Sequence, residues 1–418
     1  MIERYDNATD ATAGAERNLA RPHPTPQMSV LARALPATCA AGSLTIRLPS
    51  GRDFVCASAL PGPMARIQVK RWRGLLRMLA GGNTGFGQAF VDGDCTCDDL
   101  GSLFDWVLAN QNMLSRFGSG VAIARWASRQ YHRMNANTLR GSRRNIAAHY
   151  DLGNAFYAAW LDESMTYSSA MYRGDANRSL EAAQSAKLDR IVELLDIEGG
   201  ERVLEIGCGW GALIERLTAT PVAGVTALTL SHRQLDYARA RVAAAGATGR
   251  AEVRLQDYRD VREVYDRIVS IEMLEAVGQQ YWSRYFEVLH HSLRPGGKAV
   301  LQVITIRADR FADYARHPDF IQRYIFPGGM LPTIPIMERQ IADAGLRLVS
   351  IETFGRCYAR TLADWRTRFI SAWPQLAEMG FDDRFRRMWT YYLAYCEAGF
   401  NAGELDVGLY QIERAKPE

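Results

Sequence analysis

Three alternating glycines, Gly207, Gly209 and Gly211, lie in the stretch RVLEIGCGWGALIERL, between an apolar run and an amphipathic one. Glycine lets the backbone turn tightly and approach a ligand closely, so a glycine turn between a strand and a helix predicts a nucleotide-binding site. Glu205 precedes the turn within the predicted strand, and this pattern begins only after a long N-terminal region. These features favour S-adenosylmethionine over NAD as the bound cofactor.

Strands and helices alternate from about residue 150 to the end of the chain. The strand segments RVLEIGC, PVAGVTALTLS and YDRIVSIEML are mostly apolar, which is typical of a parallel sheet covered on both faces by helices. We predict two late helices over Leu362–Trp373 and Phe385–Ala398, followed by a final strand in LDVGLYQIER. The fold class is therefore α/β.

The first part of the chain has a different pattern. Residues 1–30 are polar and rich in proline, which predicts a disordered tail. Residues 31–115 are predicted to form a small α+β domain that contains a β-hairpin around residues 49–51. Residues 116–149 form a basic linker, and residues 150–418 form the α/β domain.

The linker region is free of acidic residues but rich in arginine. No Asp or Glu lies between Trp106 and Tyr150. Its arginines are Arg116, Arg125, Arg129, Arg133, Arg140, Arg143 and Arg144. Two interpretations have similar weight: an interfacial membrane-binding segment and a solvated face.

Composition restricts the partners and the compartment. The formal net charge is only +4, so no nucleic-acid partner is expected. The seven cysteines are scattered and no secretory signal is recognisable, which predicts a cytoplasmic protein. No apolar run reaches the roughly 20 residues of a membrane-spanning helix, so any membrane contact is expected to be peripheral. Cys95 and Cys97 have no second pair nearby, and we expect no metal site.

Several longer segments together resemble the cyclopropane-fatty-acyl-phospholipid synthase family, from about residue 31 to the end. They are GFGQAFVDGD, HYDLGNAFYAAWLDESMTYSSAMY, VLEIGCGWG, TLSHRQ, LQDYRD, YIFPGGMLP and SAWP. The resemblance implies a class I methyltransferase fold, which is Rossmann-like with a mostly parallel seven-stranded sheet and an inserted lid. It also implies that the N-terminal α+β domain binds lipid. The implied activity is methyl transfer from S-adenosylmethionine to a cis double bond in a phospholipid acyl chain.

The resemblance also implies which residues bind the cofactor. They are Tyr167, Ser168, Val203, Glu205, Gly207, Cys208, Gly209, Gly211, Thr229, Ser231, Gln234, Gln256 and Asp257. One feature departs from the common pattern, because the second strand ends in GVTALTLS without the acidic residue that usually binds the ribose hydroxyls. We expect Thr229, Ser231 and Gln234 to replace it, or else Asp257.

In the family, a bound bicarbonate ion acts as the base, and this chain matches its site only in part. Glu275 and Tyr358 match the family's glutamate and tyrosine, and Ile304 matches the residue that offers its backbone. The family cysteine is Ser169 here, and the two family histidines are Gln302 and Ala276. Two outcomes stay open: Ser and Gln donors still hold bicarbonate, or the ion is lost and Glu275 serves as base or cation stabiliser.

The altered base site leaves two products open. We favour a methyl-branched unsaturated acyl chain, with a cyclopropane as the next choice. A methyltransferase of the same fold that acts on a soluble small molecule is the alternative function. The expected partner is a phospholipid membrane surface, contacted peripherally at the inner face, and a homodimer is a further option.

Overall fold

A computed structural model describes residues 38–117 and 152–416. The predicted tail and nearly all of the basic linker lie outside these ranges, so the statements about them stay predictions. Within these two ranges, no helix is both long and apolar enough to cross a membrane.

The N-terminal domain combines a four-stranded sheet with three helices. The strands are β1 (Ser43–Arg47), β2 (Asp53–Ala57), β3 (Met64–Val69) and β4 (Cys95–Cys97), in the spatial order β2-β1-β3-β4. The helices are α1 (Trp72–Val91), α2 (Leu100–Ala109) and α3 (Gln111–Phe117). β1 and β2 pair antiparallel, which confirms the predicted hairpin, and Asp99 caps the start of α2 by accepting from the amides of Gly101 and Ser102.

The second domain is built on a seven-stranded sheet. Its strands are β5 (Arg202–Ile206), β6 (Gly224–Thr229), β7 (Ala251–Leu255), β8 (Tyr265–Ile271), β9 (Leu293–Ile306), β10 (Leu346–Thr353) and β11 (Leu405–Arg414). They lie in the order β10-β11-β9-β8-β5-β6-β7, and only β11 runs antiparallel to its neighbours. The predicted α/β class and mostly parallel sheet are confirmed. The strand order reverses at β5, and ligands of such sheets bind outside the carboxyl ends of the strands at that point.

Helices cover both faces of this sheet and extend beyond it. Before β5 lie α4 (Asn154–Ala158) and α5 (Leu180–Leu195), and between β5 and β9 lie α6 (Ala212–Thr218), α7 (His232–Ala244) and α8 (Trp282–Ser292). Between β9 and β10 lie α9 (Ala308–Arg316), α10 (Phe320–Tyr324) and α11 (Ile334–Asp343). The helix α11 packs on the sheet at β10, whereas residues 308–332, which contain α9 and α10, form an insertion that we name the lid. The helices α12 (Gly355–Ser371), α13 (Trp373–Glu378) and α14 (Asp383–Asn401) connect β10 to β11.

Both predicted late helices exist, but the first begins earlier than expected. The sequence placed its start at Leu362, whereas α12 starts at Gly355. The Gly355 amide donates to the Asp406 carboxylate at 2.8 Å, so the helix start is fixed by a residue 51 positions away. Local periodicity contains no trace of that contact.

Aromatic side chains join the two domains into one core. Phe104 of α2 contacts the ring of Tyr391 in α14 at a centroid distance of 5.2 Å, and Phe320 of the lid contacts the same ring at 4.4 Å. Two residues earlier in α14, Trp389 packs edge-on against Phe156 at 5.1 Å. The N-terminal domain, the lid and α14 are therefore packed against one another through aromatic rings.

Candidate active site

The glycine turn lies at the carboxyl end of β5, where the strand order reverses. Gly209 has φ +53°, and no heavy atom lies within 4 Å of where its Cβ would be, so a side chain there would enter the open cleft. Gly211 has φ +87°, but its added Cβ would lie 3.2 Å from the Cβ of Ala238 in α7. Gly209 therefore keeps space for a ligand, whereas Gly211 lets two helices approach.

Most of the predicted cofactor residues line this cleft. They are Tyr167, Ser168, Glu205, Gly207, Cys208, Gly209, Thr229, Gln234 and Gln256. The side chains of Thr229 and Gln234 are held together, since the Thr229 hydroxyl donates to Gln234 Oε1 at 2.8 Å. The cleft thus has an ordered polar wall at the end of β6, where the usual acidic residue is missing.

The remaining predicted cofactor residues support the cleft from behind instead of lining it. Val203 is a fully buried strand residue, and Gly211 packs against α7. Ser231 caps α7 by accepting from the Gln234 amide. Asp257 has no accessible surface and binds the Arg259 guanidinium at 2.7 Å, so it does not replace the missing acidic residue.

The cleft contains two buried groups of opposite charge. Lys187, which the sequence did not single out, is fully buried and donates from Nζ to the Ser168 hydroxyl at 2.7 Å. Burial lowers the pKa of Lys187 to about 8, although the charges of Glu272, Asp162 and Glu205 oppose this shift. Burial raises the pKa of Glu205 to about 8, partly offset by Lys187.

These observations fit S-adenosylmethionine. Glu205 Oε2 is buried without a hydrogen-bond partner, and Glu205 lines the cleft. The methionine end of this cofactor carries an ammonium group and a sulfonium centre, both of which favour a nearby carboxylate. Gly207 and Gly209 keep their two positions in the turn free of side chains.

A second and larger cavity, of ≈ 740 Å³, lies between the N-terminal domain, the lid and the last helices. The N-terminal sheet and α1 contribute apolar side chains such as Ile46 and Leu75. The lid contributes Phe326, and α14 contributes Tyr392 and Phe400. A cavity with such walls suits a large apolar ligand.

The cleft and the apolar cavity meet at a common wall. Tyr167, Glu272 and Ala276 line both spaces. A group held in the cleft and a chain held in the cavity would therefore face each other at these residues.

Glu272 lies at this junction, and sequence analysis did not select it. Its Oε1 accepts from the Ser169 amide at 2.8 Å and from Gln302 Nε2 at 2.7 Å, and its Oε2 accepts from the Tyr358 hydroxyl at 2.7 Å. Burial raises the pKa of Glu272, against the opposing influence of the Ser169 amide, Tyr358, Lys187 and Gln302. A signal was present in SIEMLEAVG, which has a second glutamate three residues before Glu275.

Glu275 occupies the neighbouring position. Its Oε1 accepts from the Ile304 amide at 2.5 Å, so this amide is bound to Glu275, whereas the resemblance implied that it holds bicarbonate. Its Oε2 is buried without a partner, and the residue lines the apolar cavity. Burial raises the pKa of Glu275 to about 8, and the negative charge of Glu272 adds to this shift. The structure thus brings all five predicted catalytic residues together, but around two carboxylates instead of one.

This fold and this cleft define a class I S-adenosylmethionine-dependent methyltransferase. The model of the mycolic acid cyclopropane synthetase family matches residues 137–411, more than half of the chain, and the chain belongs to that family.

Relatives and solved structures agree with this assignment. The chain is 47% identical over 283 residues to the tuberculostearic acid methyltransferase UfaA1 of Mycobacterium tuberculosis, a match that covers 66% of each protein. It is 36% identical over 357 residues to the cyclopropane-fatty-acyl-phospholipid synthase of Escherichia coli K12, covering 83% of this chain and 87% of that one. The mycolic acid cyclopropane synthase CmaA1, solved with SAH and CTAB, matches at a TM-score of 0.60 and 29% identity over 65% of this chain and 97% of that chain.

Replacing Gly209 with valine is expected to abolish the binding of S-adenosylhomocysteine, measured by titration calorimetry. The new side chain would enter the open cleft, and the backbone of a β-branched residue would be strained at φ +53°. Gly403→Val is the matched control, because Gly403 has φ +68° and equally open space but does not line the cleft. Equal affinity in the two variants would contradict the assigned cofactor position.

Proposed function

We propose that this enzyme transfers the methyl group of S-adenosylmethionine to the cis double bond of an unsaturated acyl chain in a membrane phospholipid. The single observation that carries the proposal is the junction of the cofactor cleft with the apolar cavity at Tyr167, Glu272 and Ala276. The names of the two relatives compared above, a fatty acid methyltransferase and an acyl-phospholipid synthase, support the same substrate class. A soluble acceptor would not need a cavity of ≈ 740 Å³ with largely apolar walls.

The chain's own residues supply positioning and electrostatics. Bound S-adenosylmethionine supplies an electrophilic methyl group on a positively charged sulfur. An alkene is a weak nucleophile, so the reacting groups must be held in line with water excluded. The glycine turn and Glu205 would hold the cofactor, while the apolar cavity would hold the chain and keep water away.

Methyl transfer leaves a positive charge on the acyl chain, and the junction is suited to stabilise it. Glu272 and Glu275 place two carboxylates there. Tyr167 adds an aromatic ring that packs on Trp365 at a centroid distance of 5.2 Å and is hydrogen-bonded to the Tyr392 hydroxyl at 2.9 Å. Fixed carboxylates and aromatic faces both stabilise a developing cation more strongly in a dry site than in water.

The proposed product is a methyl-branched unsaturated acyl chain. Loss of a proton from a neighbouring chain carbon gives this product, whereas loss from the new methyl group closes a cyclopropane. The relative that is 47% identical is named a methyltransferase, and the one that is 36% identical is named a cyclopropane synthase. The higher identity supports the branched product.

Access to phospholipid would come from peripheral contact with the membrane surface. Leu60, Met64 and Leu76 of the N-terminal domain are exposed by more than 60%. Leu76 lies on α1, whose Leu75 and Leu79 line the apolar cavity. This arrangement supports an entry for acyl chains on that side, and the basic linker would add attraction to anionic lipids.

The test uses S-adenosylmethionine with a fully deuterated methyl group and vesicles of a cis-monounsaturated phospholipid. The purified enzyme is expected to place the label in the acyl chain, with all three methyl deuterons retained. Ring closure would remove one of them, so a product that retains two deuterons and shows the high-field proton signals of a cyclopropane ring in NMR would contradict the branched product. Absence of label from lipid, together with label in soluble acceptors, would contradict the lipid substrate and favour the small-molecule alternative.

A further inference from the structure

We propose that the carboxylate of Glu272 is the base of this reaction and that it occupies the position where bicarbonate was expected. This inference rests on the proposed function and names the group that completes it. Of the two outcomes that the sequence left open, it favours loss of the ion, but with Glu272 as the base and Glu275 as the cation stabiliser.

The expected anion site is already filled by the side chain of Glu272. Ser169, Gln302 and Tyr358 are the residues through which an anion was expected to be held, and all three donate to Glu272. The hydroxyl of Ser169 donates to the Ala170 carbonyl at 3.1 Å, so its proton is not available to a bound anion. The Ile304 amide donates to Glu275. A separate anion would therefore find these donors taken.

The negative charge already present at the site also opposes the binding of a further anion. Glu272 and Glu275 are close enough for the charge of Glu272 to raise the pKa of Glu275. In the part of the chain that the structure describes, Lys187 is the one cationic side chain that lines the cofactor cleft. Its positive charge acts on Glu205 as well as on Glu272. The charge of Glu272 already disfavours ionisation of Glu275, and a further buried anion beside them would be disfavoured in the same way. The residues present therefore do not fit bicarbonate.

The backbone conformation of Glu272 also supports a functional role for this residue. It has φ +49°, a left-handed conformation that is unfavourable for a residue with a side chain, and its amide donates to the Gln302 carbonyl at 2.8 Å. Such strain persists where the surrounding contacts over-determine it, commonly at active sites. Here the conformation directs the side chain from the end of β8 to the junction of the two cavities.

The proposed reaction has two steps, methyl transfer and proton removal. The alkene electron pair forms the new bond to the methyl carbon, and the electrons of the broken sulfur–carbon bond stay on sulfur, which becomes neutral. Glu272 then accepts one proton from the carbocation. The electrons of that carbon–hydrogen bond form a double bond when the proton leaves a chain carbon, or close a ring when it leaves the new methyl group. The proton passes from Glu272 to solvent after product release.

Two variants of Glu272 test this assignment in full-length enzyme. Glu272→Gln keeps the shape of the side chain but cannot accept a proton, and it is expected to lower turnover by about a hundredfold or more. Glu272→Gly empties the anion site, and its activity is expected to rise when bicarbonate is added. Glu201→Gln is the matched control, since Glu201 is also buried and bound by the amides of Glu198 and Gly199 but lines neither cavity.

The wild-type enzyme gives a test that does not depend on the folding of any variant. Its rate is expected to be the same within twofold in buffers freed of carbon dioxide and in buffers with added bicarbonate. A wild-type rate that falls more than tenfold without bicarbonate would overturn the proposal, and so would near-normal turnover by Glu272→Gln. A wild-type enzyme that methylates no lipid in either buffer would instead overturn the proposed function.

Discussion

Replacing Glu275 with glutamine is expected to lower turnover by about a hundredfold while leaving the affinity for S-adenosylhomocysteine unchanged. Oε2 of Glu275 has no partner, and the residue lines the apolar cavity where the carbocation forms. Glutamine preserves the size of the side chain but cannot carry a negative charge. Losing one preorganised electrostatic group of this kind commonly costs about 10² to 10³ in turnover.

The pH dependence of the wild-type enzyme follows from the same residue. The pKa of Glu275 is about 8 in the unloaded enzyme, so the group is largely neutral at pH 7. Turnover at low cofactor concentration is expected to rise with pH through this range, because only the carboxylate stabilises a cation. A bound cationic cofactor should lower the pKa of Glu275, so the rise should move to lower pH under saturating conditions.

The free energy of unfolding is expected to fall as pH rises, whereas turnover rises with pH. The pKa of Glu275 rises from an ordinary 4.5 when unfolded to about 8 when folded, so between these values the folded protein binds more protons. The free energy of unfolding therefore falls as pH rises from about 5 to 8, and Glu275→Gln should remove this loss. At pH 8.5 the variant is expected to be more stable than wild type, on the order of a few kcal/mol.

Steady-state assays from pH 6 to 9, with denaturant unfolding at pH 5 and pH 8.5, measure both effects. A variant that is equally active, or one that is less stable than wild type at both pH values, would contradict the role assigned to Glu275. Glu201→Gln again serves as the control, because the pKa of Glu201 is lowered by its amide partners and its stability effect should have the opposite sign.

Tyr358→Phe is expected to lower turnover by about ten- to a hundredfold. The Tyr358 hydroxyl donates to Glu272 Oε2 at 2.7 Å, and hydrogen bonds to charged groups contribute about 1.5 to 3 kcal/mol. Phenylalanine keeps the ring contact with Phe400, whose centroid lies 4.5 Å away, so the fold should be retained. Without this donor the pKa of Glu272 should rise, and the rate profile should shift to higher pH.

Tyr265→Phe provides the comparison for this variant. The Tyr265 hydroxyl is also buried, but it has no hydrogen-bond partner and lies away from both cavities. Its removal should leave turnover and the pH profile unchanged. The assignment of Tyr358 would be contradicted if both variants gave the same rate and the same pH profile.

Local patterns in the sequence predicted most of the second domain. The central strands β5, β6 and β8 are short, mostly apolar runs, and the glycine turn marks the carboxyl end of β5, so these features can be recognised without knowledge of contacts. The start of α12 could not be recognised in this way, because the Gly355 amide is held by Asp406 from a distant strand.

The sequence singled out several residues that the structure brings together, but it missed Glu272 and Lys187 and did not indicate how these side chains are arranged. Ser169 and Gln302 were interpreted as weakened ligands of a lost or displaced ion, because each was considered as a single replacement. In the structure they converge on Glu272 from 103 and 30 positions away. Lys187 was missed for a similar reason, since a lysine in an amphipathic helix is usually exposed, and only the fold shows that this one is buried between carboxylates.

The central claim is that the enzyme methylates acyl chains of membrane phospholipids. The most direct measurement is mass spectrometry of total phospholipids from cells that express the wild-type protein, the Glu275→Gln variant or neither. Only the wild-type protein is expected to give phospholipids with acyl chains heavier by one methylene group, and their appearance is expected to be matched by a loss of the monounsaturated chains. Identical phospholipid profiles in the three cultures, with the wild-type protein present and able to bind S-adenosylhomocysteine, would contradict this claim.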